Sequence, residues 1–314
     1  MKTQPAVSSS RHNARTVLSR EKWIATARLC RPYSLLWFVC LPTVTMALWL
    51  TQGSINVPRL VLLLAASALA DAGLTTWNDV CDVKTDGLSS EPQRNTRPVA
   101  NGIISGRWAR VQVASLLFLA LLTAGIISVW FAALLAGGVV YGLVYSARPV
   151  YAEGRPLISQ LFWVVLWPAM YSVIALVMNG VFPNGWLYVL GVILYMGIGE
   201  TLAKDIRDIE NDSQTGKNTT PVVFGYKHTT LMSATAFILG SCAIIGSSLL
   251  VPGHWNPGLT AALVILLTFW CARVIFIARL LQASYSKTIA RNLHVGSIQV
   301  FIVTNLLFIV DLTR

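Results

Sequence analysis

Nine long apolar segments constrain the fold of this chain more than any other feature. Each is about 18 residues or longer, which is enough for a helix to cross the hydrocarbon core of a bilayer. Backbone polar groups in lipid must be satisfied within the protein, so we expect each segment to be helical. We divide the longest run at Val129-Trp130. The nine segments are 34–51, 60–77, 109–128, 129–147, 158–180, 184–203, 229–251, 257–281 and 293–311. The sequence therefore predicts an all-α integral membrane protein.

The composition agrees with a membrane protein. Only 12% of the 314 residues are charged, 55% are hydrophobic, and the mean hydropathy is +0.62. A soluble domain carries about 25% charged residues. The five cysteines are scattered without metal-type spacing, so we predict that they are reduced and pack as small apolar side chains. The chain also lacks the glycine-rich motifs that bind nucleotides.

The distribution of positive charge predicts the orientation of the chain in the membrane. The net charge is +11, and 22 of the 24 Lys and Arg residues fall in the N-terminal arm or near even-numbered connections between segments. Only Arg59 and Arg314 fall on the other side. Such asymmetry is typical of the positive-inside rule, which places the N-terminus and the even-numbered connections in the cytoplasm. We therefore attribute the basic charge to membrane orientation and predict no nucleic-acid partner.

The sequence predicts two parts of unequal size. Residues 1–22 are polar and basic without an apolar core, which indicates a flexible or interfacial arm rather than a cleaved signal peptide; an organelle-targeting segment stays open. Residues 23–314 form a single transmembrane domain. Its first stretch, 23–33, is basic and amphipathic, and we expect Trp23 and Tyr33 to lie at the lipid headgroups.

Two acidic clusters stand out in a chain with only 13 acidic residues. Both end an apolar segment, and in both the carboxylates are spaced three and four residues apart, which places them on one helical face. Both also fall at even-numbered connections, so they face the same compartment. The first cluster is Asn78, Asp79, Asp82 and Asp86, and the second is Asp205, Asp208 and Asp212. Solvated helix ends are the simpler interpretation, but paired carboxylate clusters favour Mg²⁺ ions that hold a phosphorylated substrate.

Further candidates lie close to these clusters. Asp71 is about two turns before Asp79 inside an apolar segment, so it either lines the same pocket or pairs with a neighbouring helix. Basic residues near the clusters could contact phosphates or could be solvated: Arg94, Arg97, Lys204 and Lys217. Tyr141 and Tyr145, one turn apart, either anchor the interface or line an apolar channel.

The last three segments carry no comparable cluster. Their isolated polar residues, His254, Asn305 and Asp311, are interpreted as structural.

An ordered set of motifs resembles the UbiA-type intramembrane prenyltransferase superfamily. Its first aspartate motif resembles Asn78-Asp79-x-x-Asp82-x-x-x-Asp86, and its second is similar to Asp208-x-x-x-Asp212 with Asp205 before it and Gly216-Lys217-x-Thr219-x-Pro221 after it. Its other motifs resemble Arg31-Pro32, Arg97-Pro98-Val-x-x-Gly102-x-Ile-Ser and Tyr145-Ser146. The resemblance covers most of residues 28–225, although the loop at 87–96 is longer than in many relatives.

This resemblance implies a fold and a reaction. The helices would surround a central cavity that opens to the cytoplasmic face. There a prenyl group would pass from a prenyl diphosphate to a small, commonly aromatic acceptor, with two or more Mg²⁺ ions held together with the diphosphate.

The resemblance also implies roles for the candidate residues. One metal ion would be bound by the first cluster, Asn78, Asp79, Asp82 and Asp86, and another by Asp205, Asp208 and Asp212. The diphosphate would contact Asn78, Arg94, Arg97, Lys204 and Lys217. Tyr141 and Tyr145 would shield the allylic cation, and Asp71 or Glu200 would orient the acceptor.

Two alternatives stay open at this point. A membrane terpene cyclase of the same superfamily would act on the prenyl diphosphate alone. A transporter would place carboxylates near the middle of the bilayer and would show an internal repeat, and the sequence shows neither.

Overall fold

The computed structural model describes residues 20–88, 97–179, 185–249 and 256–313. Within those residues nine helices are long and apolar enough to cross a membrane, which confirms the predicted all-helical class. They are α2 Pro32–Thr51, α3 Val57–Cys81, α5 Gly106–Ile127, α6 Val129–Ser146, α7 Ile158–Met178, α8 Trp186–Thr215, α10 Tyr226–Leu249, α11 Pro257–Ala283 and α12 Lys287–Leu312. The shorter helices are α1 Arg20–Leu29, α4 Val83–Leu88 and α9 Thr220–Phe224.

Most helices begin and end close to the predicted bounds. The division of the long apolar run lies at Ser128, whose extended backbone and side chain cap the start of α6 through a 3.0 Å bond from the Phe131 amide. The largest difference is α8, which continues to Thr215 where the apolar segment was predicted to end at 203. It ends because Gly216 adopts a left-handed conformation, φ 73°, that terminates helices.

The helix that carries the first acidic cluster is interrupted. The predicted continuous face through residue 86 instead breaks at Asp82, whose backbone leaves the helical region at φ −90° and ψ 4°. The chain resumes as α4 at Val83, and the amide of Asp86 still bonds the carbonyl of Asp82 at 2.8 Å. The cluster therefore spans a helix end and the short helix that follows.

The long helices pack in a closed ring. Successive helices contact one another, α5 packs along α3, and α12 returns to contact both α8 and α2. A close approach joins α8 to α10 at Gly191 and Gly240, where a β-carbon on Gly240 would lie 2.8 Å from the backbone nitrogen of Tyr195. Small residues at such crossings let helix backbones approach in membranes.

The polar residues interpreted as structural pack within this ring. Asn305 accepts a 2.6 Å hydrogen bond from the Tyr188 hydroxyl in the core, and Asp311 accepts one from Asn256. His254 lies outside the described residues. Large apolar side chains point outward along the ring, such as Phe118, Trp130 and Phe269, as expected of a lipid-facing surface.

Candidate active site

One cavity of about 600 Å³ brings most of the predicted site residues together. It lies at the end of the bundle where α3 and the polar half of α8 terminate. From the predicted set, its lining includes Asn78, Asp82, Arg97, Tyr145, Lys204, Asp205, Asp208, Asp212 and Lys217. Arg94 lies outside the described residues. In the described part of the chain, the cavity lining does not include Asp71, Asp79, Asp86 or Tyr141.

The first acidic cluster divides into two pairs. Asn78 and Asp82 line the cavity, whereas Asp79 and Asp86 are buried against arginines. Arg97 Nη1 lies 3.2 Å from Asp79 Oδ1 and 2.7 Å from Asp86 Oδ2. Arg31 also pairs with Asp79 and donates to Asn78 Oδ1 at 3.2 Å. Both arginines line the cavity. Asp79 and Asp86, two of the four residues predicted to bind metal, therefore hold arginine side chains at the edge of the cavity.

Glu153, which the sequence analysis did not single out, joins this cluster. It lies in a 3₁₀ turn, Ala152–Gly154, after α6. Its Oε2 accepts a 2.6 Å bond from Asn78 Nδ2, and its Oε1 lies 2.7 Å from Lys217 Nζ. Lys217 also donates to Asp82 Oδ2 at 3.1 Å. A continuous polar chain therefore links the end of α3 to the loop after α8.

The charges of Asp82, Glu153 and Lys217 influence one another strongly. Burial raises the pKa of Asp82 to about 6, and the neighbouring carboxylate of Glu153 adds to the effect while Lys217 opposes it. Burial alone would raise the pKa of Glu153, but the adjacent Lys217 ammonium lowers it below its usual value. Burial would lower the pKa of Lys217, but Glu153 and Asp82 raise it well above its usual value. The two carboxylates therefore favour the ammonium form of Lys217.

The second cluster lies on the final turns of α8, just after a π-helical stretch, Ile193–Glu200. Asp205 Oδ2 accepts a 2.9 Å bond from Gln160 Nε2 of α7, and Asp212 Oδ2 accepts a 3.1 Å bond from the Thr219 hydroxyl. The guanidinium of Arg207 binds both oxygens of Asp208, at 2.6 and 2.7 Å. All three carboxylates therefore line the cavity in fixed orientations.

The donor set fits a hard divalent cation. Carboxylate and amide oxygens from two helices face the same cavity, and Asp82 Oδ1 is buried without a hydrogen-bond partner. Within the described residues, no group of three or more acidic, His or Cys side chains is close enough to hold an ion by itself. Mg²⁺ is commonly held by one or two carboxylates together with substrate phosphates and water, so separate clusters suit an ion that arrives with a diphosphate.

The two tyrosines have different surroundings. Tyr145 lines the cavity and packs against Phe162 and Trp163, with ring centroids 4.4 and 6.2 Å apart. The ring of Tyr141 stacks on Phe162 at 3.8 Å, and its hydroxyl donates to the Phe162 carbonyl at 3.1 Å. Asp71 lies deeper in α3, with Oδ2 buried and without a hydrogen-bond partner.

The last helix contributes cavity residues that the sequence analysis did not assign. Lys287, Arg291, His294 and Ile298 of α12 all line the cavity. His294 Nδ1 lies 3.1 Å from Oε1 of Glu200, which also lines it. The spacing of these residues, four, three and four, was visible as one helical face, but it contained no carboxylate to draw attention to it.

The comparisons with known proteins show the family of this chain. The model of the UbiA prenyltransferase family matches residues 39–301, which is most of the chain and includes both acidic clusters. The chain belongs to the UbiA prenyltransferase family. It is therefore a prenyltransferase and an integral, multi-pass membrane protein, as the motifs and the nine helices predicted.

Two curated relatives share moderate sequence identity with this UbiA-family chain. Both are named digeranylgeranylglyceryl phosphate synthase. The protein from Methanopyrus kandleri is 26% identical over 226 residues, covering 72% of this chain and 78% of the relative. The protein from Methanoculleus marisnigri is 27% identical over 236 residues, covering 74% and 78%.

Solved structures share the fold at lower identity. A UbiA homologue from Archaeoglobus fulgidus, bound to GPP and Mg²⁺, superposes with a TM-score of 0.66 at 19% identity, covering 91% of this chain and 99% of that one. The apo UbiA homologue from Aeropyrum pernix gives 0.65 at 18% identity, covering 86% and 94%. These similarities establish a shared fold.

Proposed function

We propose that this prenyltransferase binds a prenyl diphosphate between its two acidic clusters, together with two or more Mg²⁺ ions. The observation that carries the proposal is that carboxylates at the end of α3 and on α8 line one cavity together with the buried side chain of Lys217. The homologue with bound GPP and Mg²⁺ has the same fold, which supports this use of the cavity. The predominance of basic residues near the even-numbered connections supports a cytoplasmic opening.

The ligand roles follow from which side chains face the cavity. The ions would be held by Asn78, Asp82, Asp205, Asp208 and Asp212. When bound, Mg²⁺ neutralises the charge that develops on the leaving diphosphate as the allylic carbon–oxygen bond ionises. Lys217 and Lys204, which also line the cavity, would contact the diphosphate oxygens.

For Asp79 and Asp86 we propose a positioning role. Each is bound by an arginine, and the pairs hold Arg31 and Arg97 at the cavity edge, where both can reach a diphosphate. An arginine also binds Asp208, so the distinction rests on position: Asp208 lines the cavity, whereas Asp79 and Asp86 do not. Arg94 stays a predicted diphosphate contact.

The aromatic wall would protect the reacting prenyl group. Tyr145 offers its ring to the cavity, and an aromatic face attracts the positive charge of an allylic cation. Tyr141 would act by holding Phe162 against Tyr145, through its stacked ring and its hydrogen bond. Glu200 is better placed than Asp71 to orient an acceptor, because Glu200 lines the cavity.

Two classes of acceptor are supported by different observations. The motifs resemble enzymes that commonly prenylate aromatic rings, whereas both curated relatives are named for a glyceryl phosphate product. We therefore propose that an aromatic acid and a prenylated glyceryl phosphate be tested side by side.

The test is a product assay on purified protein in detergent. Protein, Mg²⁺ and a series of prenyl diphosphates are incubated with each acceptor, and products are identified by mass spectrometry. We expect an acceptor-dependent prenylated product that is lost in Asp82→Asn and Asp208→Asn but kept in Asp311→Asn, a carboxylate that does not line this cavity. A cyclic hydrocarbon and free diphosphate without acceptor would instead identify a cyclase, and wild-type turnover in the first two variants would remove the metal assignment.

A further inference from the structure

A carboxylate and an imidazole meet at the inner end of the cavity. Glu200 of α8 and His294 of α12 both line it, and His294 Nδ1 lies 3.1 Å from Glu200 Oε1. Each residue is only 8% exposed. At 1.5 Å rise per residue, Glu200 lies about 8 Å deeper along α8 than Asp205 and about 12 Å deeper than Asp208. The pair is therefore set back from the second acidic cluster, on the inner side.

The backbone that carries Glu200 is unusual. Glu200 is the last residue of the π-helical stretch Ile193–Glu200, and π-helical turns are frequent at functional sites. The Ser233 hydroxyl of α10 donates a 2.7 Å bond to the carbonyl of Gly199, and a β-carbon on Gly199 would lie 2.9 Å from the ring of Phe237. The end of the π-helical stretch is therefore fixed against α10, and this fixes the start of the Glu200 side chain.

The opposing helix is fixed at the same level. The Tyr195 hydroxyl, from the π-helical stretch, donates to the carbonyl of Ser297 on α12 at 3.2 Å. The Ser297 hydroxyl in turn donates to the carbonyl of His294 at 2.7 Å. The same part of α12 packs closely on α11, where a β-carbon on Gly296 would lie 2.8 Å from the ring of Trp270. The two helices therefore hold the carboxylate and the imidazole at a defined separation.

The imidazole differs in its chemistry from the other polar groups of the cavity. Among the described residues that line it, His294 is the only histidine. Imidazole is the side chain that most readily both accepts and releases a proton near neutral pH. A carboxylate beside a histidine orients the ring and stabilises the imidazolium that forms when the ring accepts a proton. Since the buried Nδ1 makes no hydrogen bond to any other group of the described residues, Glu200 is the residue placed for this role.

Prenyl transfer leaves a proton to be removed. The allylic carbon–oxygen bond breaks, and its electron pair leaves with the diphosphate. An electron pair of the acceptor, from an aromatic ring or from a hydroxyl oxygen, forms the new bond to the allylic carbon. The acceptor atom that forms this bond then carries one hydrogen too many, which must leave as a proton. Both classes of acceptor therefore require a base on the acceptor side of the cavity.

We propose that His294 accepts this proton and that Glu200 positions its ring. The inference rests on the proposed function, which places the diphosphate of the donor at the acidic clusters and the acceptor next to Glu200. The proton passes from the acceptor to the ring nitrogen that does not face Glu200, and the resulting imidazolium lies against the Glu200 carboxylate. The proton then passes to water, which returns His294 to its neutral form. His294 is thus a catalytic residue, and Glu200 is a positioning residue.

The test separates proton transfer from substrate binding. His294→Asn keeps a polar atom near the position of Nδ1 but cannot accept a proton. Steady-state prenyl transfer is measured with each acceptor, and Mg²⁺-dependent binding of geranyl S-thiolodiphosphate, a poorly reactive analogue of the prenyl donor, is measured by calorimetry. We expect kcat to fall at least about 100-fold, in line with the contribution of a general base. Both KM values and the analogue affinity should change by less than about threefold.

Two further variants separate positioning, folding and location. Glu200→Gln keeps the shape of the side chain but removes its charge, and it should lower kcat at least about tenfold while both KM values stay near wild type. His228→Asn is the matched control and should keep the wild-type kcat, because His228 is exposed on α10 and does not line the cavity. If His294→Asn does not fold, Glu200→Gln provides the test through the same split between kcat and KM.

Several results would overturn the proposal. If kcat falls less than about tenfold in His294→Asn, another base takes the proton, such as the departing diphosphate. If the variant loses analogue binding together with kcat, the pair supports the donor site instead. Wild-type enzyme that binds the analogue but prenylates neither acceptor would leave no acceptor proton to remove and would exclude the role. Wild-type protein that fails to bind the thiolodiphosphate with Mg²⁺ would contradict the proposed function itself, so the two failures are distinguishable.

Discussion

Replacing Glu153 by Gln tests whether the polar chain across the cavity organises the site. Glu153 is the only residue of the described chain whose carboxylate contacts both Asn78 and Lys217, at 2.6 and 2.7 Å. Glutamine keeps the shape of the side chain but offers one acceptor oxygen instead of two. Its amide nitrogen must then face a donor, either the Asn78 amide or the Lys217 ammonium.

The expected loss follows from these contacts. One hydrogen bond to a charged group is removed, which is worth about 1.5–3 kcal/mol in a buried setting. Lys217 keeps its 3.1 Å bond to Asp82, so the ammonium is not stranded and the full cost of an orphaned buried charge does not arise. If the substrate complex needs this arrangement, kcat/KM should fall about 10-fold to 150-fold, since each 1.36 kcal/mol is tenfold in rate.

The assay compares steady-state prenyl transfer and Mg²⁺-dependent binding of geranyl S-thiolodiphosphate in Glu153→Gln and wild type. Glu210→Gln is the matched control, because Glu210 is an exposed carboxylate on α8. We expect both kcat/KM and analogue affinity to fall in the Glu153 variant only. Unchanged values for both quantities would refute the reasoning that Glu153 belongs to the site.

Three further predictions test the fold and the cavity walls. Gly240→Ala should destabilise the protein by about 1–3 kcal/mol in detergent unfolding experiments, because the added carbon meets the Tyr195 backbone at 2.8 Å. Gly138→Ala is the control and should not destabilise it, because there is open space at Gly138. Equal stability of the two variants would contradict the close α8–α10 crossing. Arg97→Ala should raise KM for the prenyl diphosphate more than KM for the acceptor, and an unchanged prenyl diphosphate KM would remove it from the site. Tyr145→Leu should lower kcat about tenfold, in line with a cation–π contribution of about 1–2 kcal/mol. Tyr145→Phe keeps the ring and should stay near the wild-type kcat. A Leu variant as active as the Phe variant would exclude stabilisation of the allylic cation by the ring.

The fold was largely predictable because the physics of the bilayer is simple. A segment must be apolar and long enough, and nine such segments were visible in the sequence. The exception was α8, whose final turns are polar. Hydropathy could not show that helix continues through Asp205 to Thr215, but the helical spacing of the second acidic cluster predicted it. The turn residues from Gly216 onward predicted the end of the helix, where Gly216 is left-handed.

The candidate site was predictable only in part. Helical spacing identified both acidic clusters, but it could not show that Asp79 and Asp86 turn toward arginines, because Arg31 and Arg97 come from other parts of the chain. Glu153 gave no periodic signal, since it lies in a short turn. The α12 face was periodic, but its meaning depends on its packing against α8, which is a tertiary fact.

The central claim is that two acidic clusters bind one diphosphate through Mg²⁺. The most direct measurement is calorimetric titration of geranyl S-thiolodiphosphate into wild type, Asp82→Asn and Asp208→Asn, each with Mg²⁺ and with excess chelator. We predict Mg²⁺-dependent binding in wild type and a loss of at least about tenfold in both variants, because one variant alters α3 and the other α8. Tight binding that is independent of Mg²⁺, or that survives in either variant, would contradict the account.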